Sequence, residues 1–319
     1  MKTIEELKNY YDTALKDDLV GLEYERKKVA AKVRILHIIC GMTAGVSALL
    51  FFVITFFTLI ILIPDIIIWI VLYHKFTKNY VSSFKTDVIE KIIHFIDSKL
   101  TYEPNSRISK ETYMSSKIFR TRPDRYNGDD LVYGKIDKTA ITFSELHSEY
   151  KTESRSSNGT RTTTYHTIFK GIFFIADFNK RFKGETFVLP DRAQKMFGNM
   201  LGNVFQSWNK MRGQLVKMED PEFERYFVVY GSDQIEARYI LSTSLMKRIT
   251  DYRKSRGKEI YLSFINNQLF VAISYMKNLF EPKLFKTLLD FNLIKEYYED
   301  LLMAVSIVDE LNLNTRIWG

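Results

Sequence analysis

The sequence predicts an α+β protein: an N-terminal transmembrane helical hairpin followed by a soluble domain with an antiparallel sheet and flanking helices. Three observations carry this reading. Residues 35–74 hold a single formal charge, Asp65, in about 40 positions. Residues 131–178 are rich in β-branched and aromatic side chains in alternation, on either side of an Asn-Gly pair. The later strand-like runs are separated by helix-period segments with hairpin links between strands, the arrangement of an antiparallel α+β sheet.

Residues 1–34 predict an amphipathic cytoplasmic helix. Ile4, Leu7, Tyr11, Leu15 and Leu22 form its apolar stripe, and charges of alternating sign fill the other faces. This helix is expected to pair with the helix that leaves the membrane or with another copy of itself. The apolar run, 35–76, comes next. A bilayer core of roughly 30 Å takes about 20 helical residues. The run is about twice that, which predicts two crossings, near 35–54 and 57–76, with the turn near Thr55–Thr58. Pro64 and Asp65 then fall inside the second helix, where Pro64 would kink it. A turn at Pro64-Asp65 instead would leave only about a dozen apolar residues before Lys75, short for a span. A single tilted crossing over 35–62 with an interfacial segment after it is the third arrangement. Gly41 and Gly45 have small-xxx-small spacing and are expected at the contact between the two helices. Asp65 is expected near the outer interface or bonded to a neighbouring backbone group.

Arg26, Lys27, Lys28, Lys32 and Arg34 precede the run, and Lys75, Lys78 and Lys85 follow it. Basic flanks stay in the cytoplasm. Both termini are therefore expected there, in a multi-pass protein of a bacterial inner membrane. A cleaved signal peptide does not fit, because the run starts too late and is too long.

Residues 77–122 predict a helical connector. Val88, Ile92, Phe95 and Ile96 share one face, Pro104-Asn105-Ser106 ends the unit, and a further helix or turn fills about 109–120. Residues 123–319 form the cytoplasmic α+β domain. Strands are expected at 131–137, 138–152, 162–178, 184–190 and 226–231, with Asn158-Gly159 as a tight turn of the type I′ kind. Asp191 caps a helix over about 192–201, residues 232–257 form one or two helices ended by Gly257, and a hairpin turns at Asn266-Asn267 within 259–274. Helices close the chain.

The net charge of +8 leaves +7 on residues 77–319, spread among many acids. This mixed surface lacks the dense Lys/Arg face of a nucleic-acid binder, so no nucleic acid is expected. It suits a domain beside an anionic leaflet. The single cysteine, Cys40, lies in the apolar run, which excludes a disulfide framework and a cysteine metal site.

The long hairpin offers the best chemical constellation. With a two-residue turn at Asn158-Gly159, Glu145, His147, Glu149 and Lys151 lie opposite Ile172, Lys170, Ile168 and His166 on one face. Glu145, His147, Glu149 and His166 together could exchange protons or hold a metal. A register slip of one residue would flip faces, and hydrated polar residues on an outer sheet face are the ordinary explanation. Asp124, Asp129 and Asp130 surround Gly128 but lack the spacing of a calcium loop, and a turn stitched by Arg–Asp pairs accounts for them. Lys180, Arg181 and Lys183 follow an apolar strand and could meet phosphate headgroups, or simply end that strand. Asp233 in SDQIEARY fits a helix cap. Phe169, Phe173, Phe174, Phe178 and Phe187 fit a sheet core. No dinucleotide, P-loop, zincin or nucleophile-elbow motif is present, so no cofactor, metal or catalytic class is predicted. A binding or scaffolding module with a lipid bilayer, and a protein partner or second copy, is expected. A membrane-tethered enzyme acting on lipid headgroups or nucleotides is the alternative.

Several stretches, DRYNGDDLVYGKI (124–136), TAITFSELHSEYKT (139–152), TIFKGIFFIADFNKRFKGETFVLPD (167–191), FVVYGSDQIEARYILS (227–242) and LNLNTRIW (311–318), together with the hairpin before them, resemble a bacterial family of membrane proteins whose conserved domain has no assigned function. The resemblance covers most of the chain after about residue 80. It implies an integral inner-membrane protein with a cytoplasmic domain and carries over no catalytic residue. The galanin-like label sometimes attached to that family has no counterpart in these residues.

Overall fold

Thr3 starts the first helix in a computed structural model of the chain. Its side chain accepts the Glu6 N–H while the Glu6 carboxylate accepts the Thr3 N–H, which satisfies two N-terminal donors reciprocally. The structure describes residues 2–51, 55–155, 159, 161–178, 182–191, 213–275, 277–311 and 313. These fall into two units, Met1–Ile96 with Phe280–Glu299, and Asp97–Leu279 with Asp300–Gly319.

In the first unit, α1 (Ile4–Tyr10) runs through a π-helical turn (Tyr11–Leu15) into α2 (Lys16–Phe51). The stripe expected from sequence is buried at Leu7, Tyr11, Leu15 and Leu22, joined by Leu19, while Ile4 at its end is exposed. α3 (Thr55–Phe84) continues through a second π turn (Lys85–Ile89) into α4 (Glu90–Ile96). The N-terminal helix pairs with this later one: Tyr10 stacks on Phe95 at 4.6 Å, and Lys91 bonds Asp18 at 2.5 Å.

α2 and α3 pack side by side and antiparallel. Lys32 sits over the Phe76 ring at 5.9 Å, His37 stacks on Trp69 at 5.8 Å, and Asp65 reaches the Cys40 thiol. Two expectations are corrected here. α3 already begins at Thr55, so Thr55–Thr58 are helical and do not form the expected turn; residues 52–54 lie outside the described residues. The helix runs through Pro64 and Asp65, as expected for the preferred placement, which excludes the competing turn at that dipeptide. Gly41 and Gly45 face open space, with nothing within 4 Å of an added Cβ, whereas Leu36 and Ser47 are the buried positions. Ile35, Ile38, Ile39, Met42, Val46 and Leu49 on α2, and Ile63, Ile66, Ile67, Ile68 and Val71 on α3, are more than half exposed. Among the described residues one continuous helix, Ile4–Leu49, is long and apolar enough to cross a bilayer.

Residues 280–299 return to this unit and are fastened to it by polar contacts. Arg26 forks onto Glu23 with two bonds of 2.7 Å and donates a third, also 2.7 Å, to the Leu284 carbonyl. The Glu23 carboxylate also accepts the Leu288 N–H at 3.0 Å. The Arg26 bonds outweigh burial and hold the Glu23 carboxyl down to about 2. Buried Lys85 pairs with Glu281 at 3.1 Å, and the Tyr11 hydroxyl donates to the Leu289 carbonyl at 2.8 Å.

The second unit is built on a nine-stranded antiparallel sheet, so the α+β class expected from sequence is found. Its strands are β1 (Thr101–Glu103), β2 (Arg125–Ile136), β3 (Thr139–Arg155), β4 (Arg161–Asp177), β5 (Thr186–Pro190), β6 (Gln214–Val216), β7 (Phe227–Gly231), β8 (Ile260–Ile265) and β9 (Gln268–Ser274), in the order β1-β2-β3-β4-β9-β8-β5-β7-β6. The helices are α5 (Lys110–Ser115), α6 (Pro221–Glu224), α7 (Gln234–Ile240), α8 (Thr243–Arg256), α9 (Phe291–Val305) and α10 (Ile307–Glu310); α9 starts in the first unit. Alternation gives way to a continuous apolar run in the second half of β4. Ile172, Phe173, Phe174, Ile175 and Ala176 are all buried there, because both faces of a central strand are covered. One face packs the aromatic cluster of Tyr113, Phe119, Phe169, Phe173, Phe187 and Phe270. The five expected core phenylalanines are all buried.

Asn266 and Asn267 both have positive φ (52° and 60°) and turn β8 into β9 as expected. Asp233 and Ser242 cap α7 and α8, and Gly257 ends α8 in the left-handed conformation. The connector ends its helix at Ile96 and then forms β1, an edge strand without a sequence signal. Residues 125–130, expected as a turn, form the start of β2. The helix expected after Asp191 lies outside the described residues, as do Asn158 and its immediate neighbours 156, 157 and 160. Gly171 has φ +147°, and a Cβ there would meet the Ile273 carbonyl oxygen at 2.0 Å, across the β4–β9 ladder. Gly171→Ala is expected to cost about 3 kcal/mol or more through this backbone clash. Gly257→Ala, with φ +62° and open space, should cost about 1 kcal/mol. Thermal unfolding of the two variants in detergent checks this, and equal shifts would contradict it.

Candidate functional site

The β2–β3 ladder brings together acids that lie far apart in the sequence. Asp129 pairs with Glu145, and the register then shifts before Val132 pairs with Phe143. The extra residue is a β-bulge, and Asp130 occupies it with φ +57°, a conformation Asp tolerates better than most residues. Gly128 permits the close approach: a Cβ there would lie 2.3 Å from the Glu145 carbonyl oxygen. Asp129, Asp130 and Glu145 thereby offer carboxylate oxygens that all lie within 4.8 Å of one another. Asp130 is 1% exposed and Glu145 6%.

The support is specific. The Tyr102 hydroxyl of β1 donates to Asp130, and the Leu279 N–H donates to Glu145 at 3.1 Å. The Asp130 and Leu131 amides donate to the carbonyls of Pro104 and Ser106, which fixes the bulge against the segment after β1. Three hard oxygen donors suit magnesium, calcium or manganese, although calcium takes six to eight oxygens and this trio supplies only part of such a shell.

The four residues expected to converge do so only in part. Glu145, His147 and Glu149 lie on one face of β3, as expected, and Glu145↔Ile172 and His147↔Lys170 keep the expected register. Beyond Ser148↔Phe169 the ladder slips, and Glu149 pairs with Thr167, Tyr150 with His166 and Lys151 with Tyr165. The additional residue is Ile168. It rotates His166 onto the other face, where the ring stacks on Tyr150 at 5.0 Å and meets the Thr152 hydroxyl at 2.9 Å. His147 stays with Glu149, 3.8 Å away, and with the Thr167 hydroxyl at 3.4 Å. Glu145 instead belongs to the carboxylate trio. Asp124 is separate from that trio, accepting the Lys151 N–H at 2.8 Å.

Past Tyr150 the β3–β4 ladder continues to Arg155↔Arg161 with no third strand beside it among the described residues, since β2 ends its pairing at Glu149 and β9 begins at Gly171. This two-stranded arm is mostly exposed on both faces. Arg125 stacks on Tyr165 at its base, 3.3 Å from the ring centre. Of the basic loop, Lys180 and Arg181 lie outside the described residues. Lys183 is exposed, and its N–H and that of Gly184 donate to Glu236 at 2.7 and 2.6 Å. Sequence reasoning missed this clamp and the Asp129–Asp130–Glu145 grouping. The only local signal for the latter was a glycine followed by two acids.

Glu145→Ala leaves the Leu279 amide buried without its acceptor and is expected to cost about 1–3 kcal/mol. Glu145→Gln keeps an acceptor oxygen and should cost less. Melting temperatures of both variants decide this; equal losses would shift the role from acceptor to charge.

Residues 167–313 match a family described as "Protein of unknown function (DUF3137)". The match runs from within β4 through α10, and helices α1–α4 lie outside it. No curated protein and no solved structure matches the chain.

Proposed function

We propose that this chain is a membrane-anchored binding module that crosses a bilayer twice through α2 and α3 and keeps both termini on the side of its basic flanks. The carrying observation is the apolar surface of α2 and α3. Eleven large aliphatic or sulfur-containing side chains on the two helices are over half exposed along a run with one formal charge. A protein dissolved in water rarely leaves a patch this extensive uncovered. Two antiparallel helices in contact satisfy their backbone groups internally, which lipid requires. The basic flanks at 26–34 and 75–85 support the cytoplasmic orientation. Binding is favoured over catalysis because His166 lies on the opposite sheet face from Glu145, His147 and Glu149, which separates the only expected acid–base constellation. The arm at 150–155 and 161–166 offers two open strand edges to a protein partner or second copy.

Full-length protein in membranes is expected to resist alkaline extraction, and reporters at both termini should read cytoplasmic. Extraction into the soluble fraction, or a terminus outside, overturns the anchor. In detergent, a partner retained by the full-length chain should be lost when residues 150–166 are replaced by a two-residue turn while melting temperature is kept; retention by the trimmed chain excludes the arm.

A further inference from the structure

The segment that returns to α2 carries an exposed aromatic side chain at the level where the apolar run begins. Phe285 is 56% exposed, yet its neighbours are held fast. Leu284 is buried and its carbonyl accepts from Arg26; Leu288 is buried and its N–H donates to Glu23. Phe285 is thus displayed by a pinned loop, and the Glu23–Arg26 fork sets its position. Its ring lies 6.1 Å from His37, which stacks on Trp69, which in turn stacks on Tyr73 at 5.4 Å. His37 is the third residue of the apolar run, so it sits about 3 Å inside its edge at 1.5 Å per residue. Four rings therefore gather within about one helical turn near the edge of the run, with Trp and Tyr among them, as at a membrane–water interface. Just outside that level Lys32, Arg34, Lys75, Lys78 and Lys286 are all exposed.

We infer that residues 282–289 form a second membrane contact, in which Phe285 enters the headgroup layer of the leaflet beside the basic flanks and Lys286, with the flanking cations, meets anionic lipid. The occupant is lipid because the exposed ring is continuous with the exposed apolar faces of α2 and α3, and because the surrounding charge is complementary to an anionic leaflet. This inference rests on the proposed anchor, and its test separates the two.

Cys40→Ser removes the only cysteine. In that background Phe285→Cys, Val46→Cys and Val20→Cys each carry one environment-sensitive fluorophore. All three native side chains are more than half exposed. The proteins are reconstituted into phosphatidylcholine vesicles with or without phosphatidylglycerol, containing lipids with a nitroxide near the headgroup or at mid-chain. The label at 285 is expected to be quenched most by the shallow nitroxide, more strongly with phosphatidylglycerol present, and to lose most of its quenching by aqueous iodide. The label at 46 should respond to the mid-chain nitroxide, and the label at 20 to iodide alone. If 46 is quenched by lipid and 285 only by iodide, the second contact is overturned and the anchor stands. If 46 is not quenched by lipid, the anchor falls and the inference with it. A label at 285 shielded from both quenchers means that protein covers the loop, which also overturns a lipid contact. Equal quenching in the two lipid mixtures overturns the role given to the cations.

Discussion

The uncovered apolar faces of α2 and α3 are the constraint from which the rest of the first unit follows. A helix that exposes Ile38, Met42, Val46 and Leu49 to its surroundings cannot spare a backbone hydrogen bond if those surroundings are hydrocarbon. Continuity through Pro64 is consistent with that demand. The proline removes one donor, but the helix does not open into a turn that would expose several more. Asp65, the one formal charge of the run, is turned toward the partner helix beside Cys40. The other charged residues begin where the run ends; α4 pairs with α1 through the stacked Phe95 and Tyr10 rings and with α2 through a Lys91–Asp18 ion pair.

Much of this was legible because it depends on local rules. The apolar run, the capping residue Asp233, the left-handed Gly257 and the Asn266-Asn267 turn are each specified by a few adjacent residues. The long strands were legible for the same reason. Their register was not. Ile168 and Asp130 are bulge residues, and neither position carries a sequence mark that distinguishes it from an ordinary strand residue. One added residue inverts every side chain beyond it. At Ile168 this removes His166 from the acid–base face; at Asp130 it delivers a carboxylate to Glu145. The same kind of irregularity dismantles one constellation and assembles another. The short strands β1 and β6 were missed because three residues do not establish a period.

The trio of Asp129, Asp130 and Glu145 is a demanding arrangement for a fold to maintain. Each support comes from a different part of the second unit: Tyr102 from the edge strand, Leu279 from the segment after β9, and the carbonyls of Pro104 and Ser106 beneath the bulge. A buried carboxylate is tolerated when its lone pairs are used, and these contacts use them. They also hold Asp130 and Glu145 through hydrogen bonds from different parts of the chain. That geometry serves structure first. Chemistry there would need a group entering from outside the trio, and the proposed function does not depend on one.

Residues 280–299 tie the later part of the chain to its N-terminal helices. They lie within the stretch that matches the family of unknown function, yet they pack with residues 1–96, which the match does not include. The link is polar and directional: Glu23 and Arg26 satisfy the backbone at Leu288 and Leu284, and each also holds the other. Breaking one member of a buried pair leaves the other charge uncompensated, which costs far more than the pair's net worth. The fork therefore fixes a single seat for the returning segment on α2 rather than adding much net stability. A fixed seat is what Phe285 needs. An aromatic side chain on a loose loop would fold back into the protein or lie on its surface, whereas one held between two fastened neighbours stays presented at the level of His37 and Trp69. The sequence that follows the sheet thus carries its own means of engaging the N-terminal helices, and through them the edge of the apolar run.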